Sequence, residues 1–288
     1  MSYIHGNPAE ELRMARDCEP GLFGTSEQDE RFRRGMASIH VQLANLRFDR
    51  IGSPLQDPKE PDRSTVGLEI ETGKGPWDTP EAYYAALAGH KLRAAESEAE
   101  PEVREQESFS LPQRFPAMMR KYQQHHTGPF GLANRDFGAH NVLVDEDFNI
   151  VGLVDFDSLI AAPIEFVAQP PQFMDLERPT PGHIETNEFA IERIEETKHL
   201  LPQYIGYIRD AIKEFEADTG RKDQSGLPDA IMSDGASVVQ GLVEYGMYAG
   251  FINDRWWAAY DMLSGAKGEG QSEQRGYDER WWMEKVMR

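Results

Sequence analysis

The sequence predicts an α+β fold that is predominantly helical and carries one small β-hairpin. Two observations lead there. Apolar residues recur at steps of three and four along most of the chain, the spacing that lines one face of a helix. One short stretch breaks that rhythm: the apolar runs Val142-Leu143-Val144 and Ile150-Val151-Gly152-Leu153-Val154 are separated by the turn-forming Asp145-Glu146-Asp147-Phe148-Asn149. No internal repeat is present.

Taken in order, Met1 to Pro8 reads as the end of a strand entering a turn. A long amphipathic helix follows, capped by Thr25 or Ser26, with Phe32, Met36, Ile39, Leu43 and Leu46 as its apolar stripe and an end near Gly52. Residues 53–78 are rich in Pro, Gly and Asp and read as a surface hairpin or loop, with an alternating stretch from Val66 to Ile70. Thr79-Pro80 supplies an N-cap and first helical residue for a second helix carrying Tyr83, Tyr84, Leu87 and Leu92. Glu96 to Glu107 is an acidic, solvated connection. A third helix runs from Leu111 to His126 on Phe115, Met118, Met119 and Tyr122, and Gly128-Pro129 stops it.

Beyond the hairpin the chain is expected to return to helix after Asp157. The pattern gives a long helix from Thr186 to Glu216, broken at Pro202, then helices over 228–249 and 253–264. Residues 265–288 form a polar tail with a short terminal helix around Trp281-Trp282-Met283. The expected division is therefore residues 1–7 as a linker remnant, 8–264 as the domain and 265–288 as the tail.

Composition narrows the function classes. A hydrophobic fraction of 39% supports a packed core. The net charge of −20 opposes nucleic acids and anionic membranes; it reads first as a solubility feature and is compatible with a cationic small substrate. One cysteine, Cys18, leaves no internal disulfide and argues against a cysteine-based zinc site. No leader pattern or apolar run near the roughly 20 residues of a membrane span occurs, so a soluble, cytoplasmic protein is expected.

The chemistry-bearing segment is Asn134-Arg135-Asp136-Phe137-Gly138-Ala139-His140-Asn141 followed by the hairpin and Asp155-Phe156-Asp157. An Asp five residues before an Asn is weak alone. Its position is stronger, because a hairpin brings the chain back to its starting end. One carboxylate then lies before the hairpin, an amide oxygen at its start and a second carboxylate at its close. Hard oxygen donors with sites left for water suit Mg²⁺ carrying phosphates, and phosphoryl transfer needs such positioning plus an acceptor for a hydroxyl proton.

This segment resembles the catalytic loop of aminoglycoside phosphotransferases, choline kinases and their protein-kinase relatives, written His-x-Asp-x-x-x-x-Asn, a hairpin, then Asp. The resemblance implies the C-terminal lobe of the protein-kinase-like fold and an ATP- and Mg²⁺-dependent transfer to a small-molecule hydroxyl. It implies Asp136 as the catalytic base, Asn141 and Asp155 as metal ligands and Arg135 as a loop-stabilising residue. The fungal-type branch of these proteins is matched by Tyr3-Ile4-His5-Gly6 as interlobe linker, which places Tyr3 and Ile4 at the nucleotide. Ile39-His40-Val41-Gln42-Leu43-Ala44, Gly73-Lys74-Gly75-Pro76-Trp77 and Ala162-Pro163-Ile164-Glu165 match further family segments, so the resemblance covers roughly residues 3–263.

Two departures stand out. Asn134 occupies the place of the motif His, and Asn can likewise donate and accept. No Gly-rich strand-turn with a strand Lys and helix Glu, and no Walker motif, precedes or replaces the linker, so the nucleotide-clamping N-lobe is expected to be missing and activity of the chain alone to suffer. The alternative is a non-catalytic, pseudokinase-like binding or scaffold module. An exposed cleft floor would then give modest stability or self-association. His140 reads as loop packing, His125-His126 as a helix-end pair, Trp256-Trp257 as core, and Glu192 to Glu196 as a solvated helix face.

Overall fold

The computed structural model describes residues 5–16, 18, 21–56, 64–98, 111–122, 127–243, 261–265 and 277–278. Its helices, numbered in chain order, are α1 (Ala9–Ala15), α2 (Ser26–Asn45), α3 (Pro80–Glu98), α4 (Leu111–Tyr122), α5 (Ile164–Val167), α6 (Glu188–Thr197), α7 (Leu200–Thr219), α8 (Leu227–Ala230) and α9 (Asp234–Val243). The strands are β1 (Asn7–Pro8), β2 (Pro54–Gln56), β3 (Ser64–Val66), β4 (Gly131–Asn134), β5 (Val142–Val144), β6 (Ile150–Leu153), β7 (Leu159–Ala162), β8 (Ile184–Glu185) and β9 (Tyr277–Asp278). They form one sheet of order β1-β5-β6 and three antiparallel pairs, β2-β3, β4-β7 and β8-β9. The molecule is thus α+β with small sheets set among helices.

Local chemistry fixes the helix ends. Thr25 and Gln28 form a reciprocal capping box at the start of α2, satisfying backbone donors that the first turn leaves open. The helix stops at Asn45 rather than near Gly52, because Leu46 turns extended and Phe48 bridges Phe130. Thr79 caps α3 through its hydroxyl to the Ala82 N–H at 3.3 Å, and Pro80 opens the helix, as the sequence indicates. The apolar face of α2, with Phe32, Met36 and Val41, belongs to the same core as Tyr204, Ile205 and Ile208 of α7 and Tyr83, Tyr84 and Phe166.

Arg33 and His40 are among the polar groups buried in that core. Arg33 has no exposure and spends its guanidinium on the Asp29 carboxylate, the Met174 carbonyl at 2.8 Å and the Gly21 carbonyl at 2.6 Å. A desolvated guanidinium is tolerable only with partners of this kind. It ties α2 to two loops at once. His40, also buried, meets the Val167 carbonyl at 2.6 Å through Nε2 and the Tyr204 hydroxyl at 3.3 Å through Nδ1. A neutral ring satisfies both, donating at Nε2 and accepting at Nδ1.

Several sequence expectations are corrected. The chain does not return to helix after Asp157; Leu159-Ile160-Ala161-Ala162 forms β7 and pairs with β4, Asn134 opposite Leu159 and Gly131 opposite Ala162. A short, wholly apolar run carries no period that separates strand from helix. The expected helix over Thr186 to Glu216 breaks at Lys198-His199 instead of Pro202, which sits in the first turn of α7 where its missing N–H is not needed. The helix expected from 228 divides into α8 and α9, and its remainder lies outside the described residues, as does most of 253–264. Tyr277-Asp278 of the polar tail pairs with β8, so the tail returns to the domain; Trp281-Trp282 lies outside the described residues. The seven-residue α1 was not anticipated. Among the described residues no helix is long and apolar enough to cross a membrane.

Burial lowers the pKa of His40 from 6.5 to about 4, against a smaller opposing effect of its bond to Val167. The folded value lies below the unfolded one, so this stability is complete above pH 6.5 and is lost as pH falls toward 4. Urea unfolding across that window should show a loss of about 3 kcal/mol from this group, and His40→Gln should flatten that part of the profile.

Candidate active site

The segment that the sequence singles out is built on the β4–β7 pair. Asn134 ends β4, and its side-chain oxygen accepts from the Asp136 N–H at 3.0 Å while its carbonyl accepts from the Phe137 N–H at 3.2 Å. This is an Asx turn, which holds the start of the loop. The Arg135 N–H bonds Ser158 at 3.3 Å, fastening the loop to the start of β7. Ala139 N–H donates to Gln172 and Gln172 N–H to Phe137, at 3.1 and 2.8 Å, so residues 170–172 run along the loop. Gly138 is needed there: a Cβ would lie 2.8 Å from both the Gln172 Cβ and the His140 Nδ1.

A 3-10 turn, Ala139–Asn141, then feeds β5. Its tight geometry returns His140 and Asn141 to Asp136. His140 Nε2 lies 3.0 Å from Asp136 Oδ1, and Asn141 Nδ2 donates to Asp136 Oδ2 at 2.9 Å and to its carbonyl at 3.0 Å. Both carboxylate oxygens are therefore held, while 38% of the side chain remains exposed. With Nδ2 committed to Asp136, Asn141 has its amide oxygen left as an acceptor.

The hairpin turn explains where Asp155 falls. Asp145 accepts from the Asp147 and Asn149 N–H groups at 2.9 Å each and from Asn149 Nδ2 at 2.8 Å, and Phe148 adopts φ 58° with its ring buried. Those bonds, Asn149's first, hold the Asp145 carboxyl below its usual range. The second strand returns antiparallel, Val142 opposite Leu153, and the Val154 N–H donates to the Asn141 carbonyl at 3.0 Å. Asp155 follows directly. It is exposed, has φ 58°, and among the described residues accepts only a long 3.4 Å bond, from the Asp157 N–H. A left-handed non-glycine residue costs of order 1–3 kcal/mol and persists where surrounding structure imposes it. The exposed Val154 and Phe156 flank it.

Of the residues named from sequence, Asp136 and Asn141 are thus in contact, and Asp155 is placed next to the residue that pairs with Asn141, without a hydrogen bond to either side chain. Tyr3 and Ile4 lie outside the described residues. Asn141 and Asp155 offer the hard oxygens that suit Mg²⁺. Among the described residues no group of three or more His, Cys, Asp or Glu is gathered for a metal ion, so a cation here would depend on these two side chains and on oxygens of its ligands.

Arg135 leaves the loop in the other direction. Its guanidinium pairs with Glu69 at 2.7 Å and with Glu71, and Glu71 pairs with Lys91 of α3 at 2.5 Å. Glu69 has no exposure and also accepts from the Thr72 and Glu71 N–H groups at 2.7 and 3.1 Å. Burial works to raise its pKa, but the bonds to Thr72, the Arg135 charge and the bond to Glu71 leave it lowered. Nearby, burial raises the pKa of the Tyr83 hydroxyl, which has no hydrogen-bond partner among the described residues. Sequence reasoning missed Glu69 and Glu71, and it took His140 for packing alone. The His140 ring does pack, edge-on to Phe173 at 4.9 Å, but its Nε2 serves Asp136. Its position one before Asn141 on a tight turn was the available signal.

No known family model, curated protein or solved structure matches the chain.

Removing Glu69 leaves Arg135 partly buried with one carboxylate fewer. Glu69→Ala should lower the unfolding free energy by about 3 kcal/mol, read from the urea midpoint. The wild-type contribution of Glu69 should be complete above pH 4.5 and lost as pH falls through its lowered folded pKa; a flat acid limb in Glu69→Gln would confirm the source.

Proposed function

We propose that this chain carries the transfer centre of an ATP- and Mg²⁺-dependent phosphotransferase acting on a small-molecule hydroxyl, of the aminoglycoside and choline kinase type. The observation that carries the reading is the Asp136 carboxylate held at both oxygens by His140 and Asn141, at the mouth of a hairpin whose other end is the left-handed Asp155. In this reading Asp136 accepts the proton of the substrate hydroxyl. The freed oxygen then attacks the terminal phosphorus of ATP, and the bond to ADP breaks. Fixing the carboxylate is consistent with that task, because a base contributes only from a set position. Bound Mg²⁺ supplies charge neutralisation on the phosphates, with Asn141 and Asp155 as its protein ligands. Arg135 supports the loop through Glu69 and Glu71 and stays away from the transfer itself. The net charge of −20 favours a cationic acceptor, which long-range attraction would concentrate at the surface.

The test is Mg-ATP calorimetry together with transfer assays on aminoglycoside and choline acceptors, using this chain and any form that the gene extends upstream. Asp136→Asn should lower kcat by roughly 10²-fold or more at unchanged nucleotide affinity, whereas Asp155→Asn should weaken Mg-ATP binding. Binding without transfer in every form would assign a non-catalytic binding module instead. Absence of both binding and transfer would end the phosphotransferase reading.

A further inference from the structure

At the opposite end of the β4–β7 pair from Asp136, a cavity of 150 Å³ opens between the end of α2 and the start of β4. Arg47, Pro129, Gly131, Pro163 and Ser225 are among its walls. It has room for a small head group.

Arg47 is the unusual member. The two arginines buried in the core are fully engaged: Arg33 bonds Asp29 and two carbonyls, and Arg178 bonds Ile231 at 2.6 Å, Ala168 at 2.9 Å, and Ala236 and Gln240 at 3.0 Å each. Arg47 is half-buried and, among the described residues, reaches the Pro129 carbonyl through Nη1 at 3.5 Å, the outer limit of a hydrogen bond. Its Nε and Nη2 are shielded from solvent and have no acceptor among the described residues. These two N–H groups lie side by side on one edge of the planar guanidinium, the edge that meets a carboxylate or phosphate with two parallel bonds. The neighbouring carboxylate does not serve them. Asp223 Oδ1 accepts from Asn45 Nδ2 and from Ser225 Oγ, each at 2.7 Å, and from the Ser225 N–H at 3.2 Å. Burial, with Asp223 opposing and Arg221 adding to it, lowers the Arg47 pKa. Unsatisfied buried donors are expensive, and cationic ones more so.

We infer that this cavity is an oxyanion site, in which a small rotation of the Arg47 guanidinium presents its Nε–Nη2 edge to the carboxylate or phosphate group of a small ligand. The site is independent of the phosphotransfer reading, since it lies at the other end of the strands and uses none of those residues. Arg221 adds positive charge beside it, in a chain that is otherwise strongly acidic.

Sodium phosphate and sodium acetate, each titrated against the full chain at ionic strength held constant with chloride, test the site. Either anion should raise the melting midpoint saturably, by roughly 2–4 °C or more. A response to phosphate alone would identify a phosphorylated ligand, to acetate alone a carboxylate, and to both a general oxyanion site. Arg47→Met keeps the stem and removes the stranded donors, so it should abolish the response without lowering the midpoint in chloride. The Arg47 Nε–H resonance, followed by NMR in the wild-type chain, should move with the same saturation curve and needs no variant. An equal response in Arg47→Met, no response beyond chloride, or an Arg47 Nε–H signal that stays still would overturn the proposal.

Discussion

An ionised carboxylate cut off from water must be matched by charge and by N–H donors, and Glu69 is the place where this constraint organises the molecule. Arg135 supplies the charge, and the turn around Thr72 supplies the donors. Because Arg135 also belongs to the loop of Asp136, satisfying Glu69 sets the position of that loop relative to the 69–77 segment and, through Glu71 and Lys91, relative to α3. The backbone does the rest. Residues 135 and 139 are bonded to Ser158 and Gln172, so the loop is held from three sides. A loop fixed in this way can present a half-exposed carboxylate without letting it wander.

The arrangement separates support from chemistry. Arg135 points into the protein, whereas His140 and Asn141 turn back on Asp136. Asp155, in a left-handed conformation at the end of the hairpin, is exposed and, among the described residues, accepts one long bond. A strained, weakly engaged acid beside a rigid carboxylate–amide pair is the feature that gives the phosphotransfer reading its content. Elsewhere in the core, buried Arg33 and His40 are each given partners.

Much of this was legible in the sequence where the signal was local. Thr25, one of the two caps the pattern offered, Thr79 with Pro80, and the Asp145–Asn149 turn act within a few residues of chain, and each appears where the pattern placed it; the Gln28 half of the capping box was not read. Asp136 and Asn141 are brought together by a single 3-10 turn, so their spacing carried the contact. What stayed hidden was non-local. Glu71 and Glu69 lie 64 and 66 residues from Arg135, and nothing in their neighbourhood marks them as its partners. The β4–β7 pair escaped notice because Leu159-Ile160-Ala161-Ala162 is apolar on both faces and shows no alternation. The return of Tyr277-Asp278 to β8 is likewise a pairing across almost a hundred residues, beyond the reach of periodicity.

The proposed phosphotransfer requires Asn141 and Asp155 to hold one divalent ion in front of Asp136. Paramagnetic NMR with Mn²⁺ in place of Mg²⁺, in the presence of ATP, measures this most directly. The account predicts selective broadening of the backbone amides around residues 136, 141 and 155, abolished in Asp155→Ala. Uniform weak broadening along the acidic surface, with those three positions no more affected than others, would contradict it.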